Sequence, residues 1–557
     1  MTGYSNMTKY SIGIDYGTLS ARCIIVDTSD GREISTCDFV YPHGVMDVVM
    51  PDGTKLPNDW ALQHPRDYLD ALPVIVPGAL RKAGLNADDI VGIGVDFTSC
   101  TPIPVLADGT PLCFLPEYEH NIHAYAKLWK HHGAMAQADR ISRIAAERGE
   151  TWLSRYGGVI GSEWMVPKIL QILEESPGIY DAAEYFIDGG DWIVWQLTGK
   201  LWRNTCSAGY KSMWSKRDGY PSEDFFAALD ERMRNLTDTK LAGEVVPPGM
   251  LAGGLTEQMA ALTGLNTGLP VSVAIVDGHA GIPASGISKE GEFLNLIGTS
   301  GCHFMLSREH CDVPGICGVV EDGVFPGFFC YEAGLAAVGD LYGWFVKNCV
   351  NEAYTNDAAE AGMSIHQYLT SKAEKLAPGE TGLVALDWWN GNRNILCDPK
   401  LTGMILGLTL ATRPEDIYRA LIEATAFGTR RIIDTFIESG VVPTEIFASG
   451  GISAKNPMLC QITADILRLP ITLAGGSNGS ALGAAILGAV VGGCYDDFPT
   501  AARAMGQRSD VRYFPNEEAS AVYDELYAEF LDLHDLFGLG GSNVMKRLLE
   551  IRDRARH

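Results

Sequence analysis

Tyr10-Ser-Ile-Gly-Ile-Asp-Tyr-Gly-Thr-Leu-Ser-Ala-Arg-Cys-Ile-Ile-Val-Asp27 is the stretch on which the reading of the fold turns. Two apolar runs, Ile12 to Ile14 and Cys23 to Val26, flank a turn rich in Gly, Thr and Ser, which predicts a hairpin. Asp15 sits where the first run ends, and Gly17 and Thr18 follow with small side chains. A carboxylate beside a Gly-Thr turn suits a phosphate held by backbone N–H groups, with a metal ion bridging to the carboxylate. An ordinary edge hairpin with an Asp in its turn fits the same residues, because turn residues recur everywhere.

An echo strengthens the first reading. Gly291-Glu-Phe-Leu-Asn-Leu-Ile-Gly-Thr-Ser-Gly-Cys-His-Phe-Met-Leu306 repeats strand, Gly-Thr-Ser turn and strand. A repeated hairpin suggests duplicated halves, and two such turns would grip a polyphosphate from both sides. Between them, Val91-Gly-Ile-Gly-Val-Asp96 reads as a strand ending in an acid, followed by Phe97-Thr-Ser-Cys-Thr-Pro102. Strand ends in α/β folds are where ligands bind, so Asp96, Thr98, Ser99 and Thr101 are expected to line a polar site or form a plain turn. Pro270 to Asp277 is an unbroken aliphatic run, as in a strand buried on both faces, with Asp277 exposed at its end. That Asp would do chemistry or cap the following helix.

Other segments read more simply. His120 to His132 is expected to be an amphipathic helix whose histidines lack metal-site spacing, with Lys127 and Trp129 suited to a sugar pocket. Ser162 to Leu173 and Ile187 to Gly199 read as helices, the second with Asp188 near its start and Gly199 at its end. Ala208 to Trp214 reads as a loop carrying Lys211, and Val245 to Gly254 as an irregular connection. Glu332 interrupts an apolar, Gly-rich stretch from Phe329 to Gly334. Pro414 to Ser439 is a long helix with Glu415 and Asp416 in its first turn and Gly440 beyond its end. Ile417, Leu421, Ala424 and Gly428 form its packing stripe. Glu445 to Gly451 is a strand entering a Gly-Gly turn, with a helix from about Pro457 to Leu467. Such a turn lets an anionic or flat ligand approach the backbone. Gly475 to Gly488 is a Gly/Ser loop feeding a helix of small residues suited to close packing, and Glu517 to Leu536 is an amphipathic helix.

Composition bounds the rest. The 557 residues suggest about three or four domains, or two large ones. A hydrophobic share of 46% with 20% charged residues is that of a globular chain with ample core. The net charge of −26 repels nucleic acid and anionic membrane, and solubility alone accounts for it. The 13 cysteines form no CxxC pair, which argues for reduced thiols in a cytoplasmic protein. Met1 to Lys9 is polar, and no apolar run reaches about 18 residues, so neither a signal peptide nor a membrane span is expected. Met7 is a candidate native start, with Met1 to Asn6 an expression extension. A P-loop, a dinucleotide GxGxxG after a strand and HExxH are all absent.

Ile12-Gly-Ile-Asp-Tyr-Gly-Thr18, Asp277, Ile297-Gly-Thr-Ser300 and Ala448-Ser-Gly-Gly451 together resemble the FGGY carbohydrate kinases, of the actin/hexokinase/Hsp70 ATPase superfamily. The resemblance covers nearly the whole chain, and Gly403-Met-Ile-Leu-Gly407 with Asp416 and Glu423 looks like the family's C-terminal signature. Lys127-Leu-Trp-Lys-His-His132, Asp277-Gly-His-Ala280 and Leu386-Asp-Trp-Trp-Asn-Gly-Asn-Arg393 are similar to its ribulose-phosphorylating branch. Gly278 stands where Ala is more usual, and Phe97 to Thr101 departs from that branch, which bears on the sugar.

The resemblance implies an α/β fold of two actin-like (ribonuclease H-like) ATPase domains with an interdomain cleft. Residues 1–287 would bind sugar and residues 288–557 nucleotide. It implies ATP and Mg²⁺ as cofactors, with Asp277 as general base and Asp15 on the metal. Gly17, Thr18, Arg22, Gly298, Thr299 and Ser300 would hold phosphates, and Gly450, Gly451 and Asn456 the adenosine. Lys211, Asp277 and Glu332 match sugar-contacting positions, and Ser99 matches more weakly. The implied partners are a small-molecule sugar and ATP, with neither nucleic acid nor membrane, and a homodimer is compatible. Kinases for xylulose, gluconate or glycerol, and an actin- or Hsp70-like ATPase, are the competing readings.

Overall fold

The computed structural model describes residues 9–476 and 478–556. The proposed start at Met7, the extension before it and Ser477 of the Gly/Ser loop lie outside these residues. The chain forms two compact units. The first comprises Met1–Lys289, Gly318–Cys330 and Asn478–Gln507; the second comprises Glu290–Cys317, Tyr331–Ser477 and Arg508–His557. Two segments that follow residue 288, Gly318–Cys330 and Asn478–Gln507, thus group with the first unit.

The first unit is built on a seven-stranded sheet. Its order is Leu251–Gly254, Pro270–Ser272, Ile90–Phe97, Tyr10–Tyr16, Ser20–Asp27, Glu33–Val40, and Ile275–Val276 also pairs with Ile90–Phe97. Tyr10–Tyr16 runs antiparallel to Ser20–Asp27, as the hairpin reading requires, and parallel to Ile90–Phe97. The helix Gly479–Val491 packs on this pair. Its small residues explain why segment 478–507 belongs here. A Cβ on Gly13 would collide with the Ala481 carbonyl, and one on Gly94 with that of Ala484. Close helix-to-strand approach thus depends on glycine in the strands and alanine in the helix. On the sheet, Tyr16 stacks on Phe97 at 5.4 Å between ring centroids, amid Ile12, Ile14, Ile93 and Val95. A second buried cluster, around Trp152, Trp164, Phe186 and Phe225, lies among the helical insertions.

In the second unit the strand order is Phe329–Leu335, Gly301–Ser307, Glu292–Ile297, Glu445–Ser449, Ile471–Ala474, Arg508–Tyr513. Glu292–Ile297 is antiparallel to Gly301–Ser307 and parallel to Glu445–Ser449, the same local arrangement as in the first sheet. The helix Pro414–Glu438 begins with Pro at its first turn, where no N–H partner is lost. The Asp416 carboxylate accepts the Arg413 N–H at 2.8 Å. Leu421, Ala424 and Gly428 of its stripe are buried, and Ile417 is half-buried.

Three local expectations are corrected. Residues 120–132 are not a helix but a short 3-10 turn, Ile122–Ala124, and a strand, Ala126–Lys127, which pairs with Leu62–Gln63. Long-range packing decides it: Lys127 is buried with its Nζ 3.8 Å from the centre of the Trp60 ring. Residues 208–211 are not loop, since Asn204 caps a helix, Thr205–Lys211, by accepting the Ser207 N–H at 2.6 Å. Lys211 is that helix's last residue and is buried. The run from Pro270 is broken into two short strands, Pro270–Ser272 and Ile275–Val276, and the helix Asp277–Ala284 follows directly.

Candidate active site

Three adjacent strand ends bring three carboxylates together on the first unit's sheet. Asp15 is in register with Asp96 on the neighbouring parallel strand. Ile275 in turn is in register with Asp96, two residues before Asp277. Asp277 is the first residue of its helix, and Val276 occupies the cap position without a side-chain bond. Asp277 accepts the Gly278 N–H at 2.7 Å and stays half-exposed.

Burial raises the Asp15 carboxyl above its ordinary range, against a hydrogen bond with Asp96 and the nearby Arg22 charge, which both lower it. Asp96 is fully buried and pushed well up by burial and then by the charges of Asp15 and Asp277. Neither Asp96 oxygen accepts from an N–H or hydroxyl donor among the described residues. Such a set of like charges in a low-dielectric edge is stable only when a proton or a cation is shared.

The Gly17–Thr18 turn is fixed from several sides. The Gly17 N–H reaches Ser20 O at 3.0 Å. Gln63 donates to Thr18 O at 2.7 Å, and the Trp129 indole donates to Thr18 Oγ1 at 3.1 Å. Arg22 lies across from Asp15 in the hairpin register, paired with Asp38 and donating to Asn478 Oδ1 at 2.6 Å. The loop after Asp96 is equally pinned. Thr98 and Thr101 are buried with their hydroxyls 3.3 Å apart. Thr101 N–H donates to Asp188 at 3.0 Å, and Lys168 Nζ donates to Cys100 O at 2.8 Å. Ser99 is half-buried between them. Burial pushes the Cys100 thiol up to about 12, while the charges of Lys168 and Lys211 act in the other direction, so Lys211 lies near this loop.

The second unit carries its own turn pair. Gly298 N–H donates to Ser300 O at 2.9 Å, and the Val338 and Gly339 N–H groups donate to Thr299 O and Gly298 O at 2.9 and 3.0 Å. Gly298 and Thr299 are exposed and Ser300 is half-exposed. Gly450 has φ of 100°, and a Cβ there would strike the Ile297 carbonyl, so the Gly-Gly turn lies against the base of the Gly-Thr-Ser turn. Gly451 has open space around its Cα. Asn456 accepts the Leu459 N–H at 3.1 Å and caps the helix Pro457–Leu467, so its side-chain oxygen is committed to structure. Glu332 projects from Phe329–Leu335, and Arg393 donates to its Oε1 at 2.8 Å.

The structure thus places Asp15, Arg22, the Gly17–Thr18 turn, Ser99, Lys211 and Asp277 in the first unit; in the second, the Gly450–Gly451 turn lies against Gly298–Ser300, and Glu332 stands on the strand Phe329–Leu335. The supports at Gln63 and Asn478 gave no sequence signal, since both act far from the residues they hold. The family signature residues Asp416 and Glu423 turn out to be structural: a helix cap and a buried ion pair with Arg419 at 2.8 Å. Among the described residues no helix is long and apolar enough to cross a membrane.

This α/β architecture is that of a carbohydrate kinase. The N-terminal domain of the FGGY family of carbohydrate kinases matches residues 10–282, and its C-terminal domain matches residues 294–491. The chain belongs to the FGGY family of carbohydrate kinases and is a sugar kinase. Curated relatives include the ribulokinases of Anoxybacillus flavithermus and Geobacillus thermodenitrificans, each 50% identical over 554 residues and covering 98% of both chains. The ribulokinase of Mycolicibacterium smegmatis is 46% identical over 98% of this chain and 97% of its own. Among solved structures, xylulose kinase from Rhodospirillum rubrum aligns with TM-score 0.76 at 24% identity, covering 94% of this chain and 98% of that one. Gluconate kinase from Lactobacillus acidophilus aligns with TM-score 0.77 at 17% identity, over 96% and 99%. These likenesses establish the two-domain, actin-like fold.

Proposed function

We propose that the chain is a cytoplasmic ATP-dependent ribulokinase, transferring the γ-phosphoryl group of ATP to the 5-hydroxyl of ribulose to give ribulose 5-phosphate and ADP. The observation that carries this reading is 50% identity with ribulokinases along 98% of the chain. Asp277 serves as the general base. Its half-exposed carboxylate at a strand end accepts the hydroxyl proton as the oxygen–phosphorus bond forms and the bond to ADP breaks, a contribution of about 10²–10⁴-fold. Phosphoryl transfer otherwise needs alignment and charge neutralisation more than covalent chemistry. Lys211, Ser99 and Glu332 orient the sugar. Backbone N–H groups at Gly17–Thr18 and Gly298–Ser300, with Arg22, hold phosphates, and Gly450–Gly451 receive the adenosine.

A magnesium ion fits the Asp15 edge. The donors there are carboxylate oxygens, and Asp96 brings two buried oxygens that accept from no N–H or hydroxyl donor among the described residues. Asp15, Asp96 and Asp277 share this edge, but among the described residues no three His, Cys, Asp or Glu side chains stand so as to hold a metal ion by themselves, as suits an ion that takes one or two carboxylates and completes its shell with phosphate and water. Asp15 would hold it, and when bound it neutralises phosphate charge.

A coupled ADP-release assay over ribulose, xylulose, gluconate and glycerol tests the proposal. Ribulose should give the highest kcat/KM. A clear preference for another of these, or ADP release independent of sugar, would overturn it.

A further inference from the structure

We infer that Arg393 is a positioning residue for Glu332, fixing the aim of the carboxylate that the proposed function assigns to the sugar; the inference rests on that assignment. The Leu386-Asp-Trp-Trp-Asn-Gly-Asn-Arg393 motif has no other part in the chemistry described above. In the structure its end is fastened to the strand that carries Glu332. Arg393 Nη2 donates to Glu332 Oε1 at 2.8 Å, and its Nε donates to Cys317 Sγ at 3.2 Å. The next residue, Asn394, accepts the Gly334 N–H at 2.8 Å and donates to Gly315 O at 2.6 Å. The Cys317 N–H in turn donates to Glu332 O at 2.8 Å. The strand is therefore held at Glu332 by the segment 315–317 and at Gly334 by the loop that carries Arg393.

The Glu332 side chain is 6% exposed and that of Arg393 33%. A carboxylate taken that far from water needs a charge-matched donor to stay ionised. The guanidinium supplies more than charge. It is planar, and two of its nitrogens are tied to different partners, so its plane cannot swing. Glu332 Oε1 is then fixed in direction. A polar site that reads sugar hydroxyls discriminates only as well as its acceptors are fixed, because a misplaced hydroxyl leaves buried polar groups unpaired. Lysine would keep the charge but lose the fork.

The test is a double-mutant cycle on the full-length enzyme with Glu332→Gln, Arg393→Gln, Arg393→Lys and the Gln/Gln pair. KM for ribulose, kcat and ATP affinity are measured, with thermal melting to check folding. Losing one hydrogen bond to a charged group predicts a rise in ribulose KM of about tenfold or more in each Gln variant. ATP affinity should stay within about twofold, and Arg393→Lys should fall between wild type and Arg393→Gln. Because Arg393 acts through Glu332, the pair should be no worse than Glu332→Gln alone. Single effects that multiply in the pair, or an unchanged KM in Arg393→Gln beside a raised one in Glu332→Gln, would overturn the inference and leave the sugar role of Glu332 standing. An unchanged KM in Glu332→Gln would bring down that role and the inference with it. Should Arg393→Gln fail to fold, Arg393→Lys carries the same comparison.

Discussion

The hairpins Tyr10–Asp27 and Glu292–Ser307 have one backbone plan and different chemistry. Each turns at Gly-Thr, each has an antiparallel partner, and each lies beside a parallel strand. In the first, Asp15 faces Asp96 across the parallel pair. In the second, the residue two before the turn glycine is Leu296, in register with Ser449. The first hairpin therefore carries an acid at the position where the second carries a leucine, while the second has Gly450, at φ of 100°, packed on Ile297. Backbone geometry alone suffices to bind phosphate. Under the proposed function, Asp15 with the neighbouring Asp96 and Asp277 would make the first unit the place for a cation and a proton acceptor, and the Gly-Gly turn would leave the second to the nucleotide.

Substitutions can break this contrast. Asp277→Ala should lower kcat by about 10²–10⁴-fold while ATP affinity persists, as steady-state kinetics and calorimetric titration would reveal. A near-normal kcat would remove the base from the first unit. Asp15→Asn should lower kcat by roughly 10²-fold and weaken Mn²⁺ binding measured by electron paramagnetic resonance, while Leu296→Ala leaves Mn²⁺ binding alone. Equal effects of the two would erase the distinction between the turns. Gly450→Ala should cost about 1–3 kcal/mol in stability and weaken ATP binding, because no Cβ fits at that φ, whereas Gly451→Ala should be milder.

The smallest effect concerns pH. The second unit also buries an acid, but away from its hairpin turn: Asp387 lies beside Gly428 of the long helix, pushed up to about 7 by burial. The folded chain then holds a proton that the unfolded chain releases above its ordinary 3.8. Stability from this group is present at low pH and is lost as pH rises toward about 7, at no more than roughly 1.4 kcal/mol per pH unit. Asp387→Asn should therefore gain melting temperature relative to wild type as pH rises through that window. A gain that is flat with pH would contradict it.

Much of the fold was legible because its signals are local. The hairpins, the Pro414 helix and the cap at Asp188 announce themselves through turn chemistry and periodicity. What was not legible depends on contacts far along the chain. Residues 120–132 read as a helix until Trp60 and Leu62–Gln63 claimed them. The return of Gly479–Val491 to the first sheet was visible only as a run of small residues, since its partners Gly13 and Gly94 lie hundreds of residues away. At the site, the residues proposed to carry the chemistry announce themselves through motif and strand end, but their supports do not. Asn478 behind Arg22 and Arg393 behind Glu332 emerge only from the folded geometry.

The central claim is that the chain moves phosphate from ATP to a ribulose hydroxyl. Phosphorus NMR of the product formed from ribulose and ATP tests it most directly. The account predicts ribulose 5-phosphate, with one ADP per ester formed. Inorganic phosphate without a sugar ester, or an ester at another hydroxyl, would contradict it.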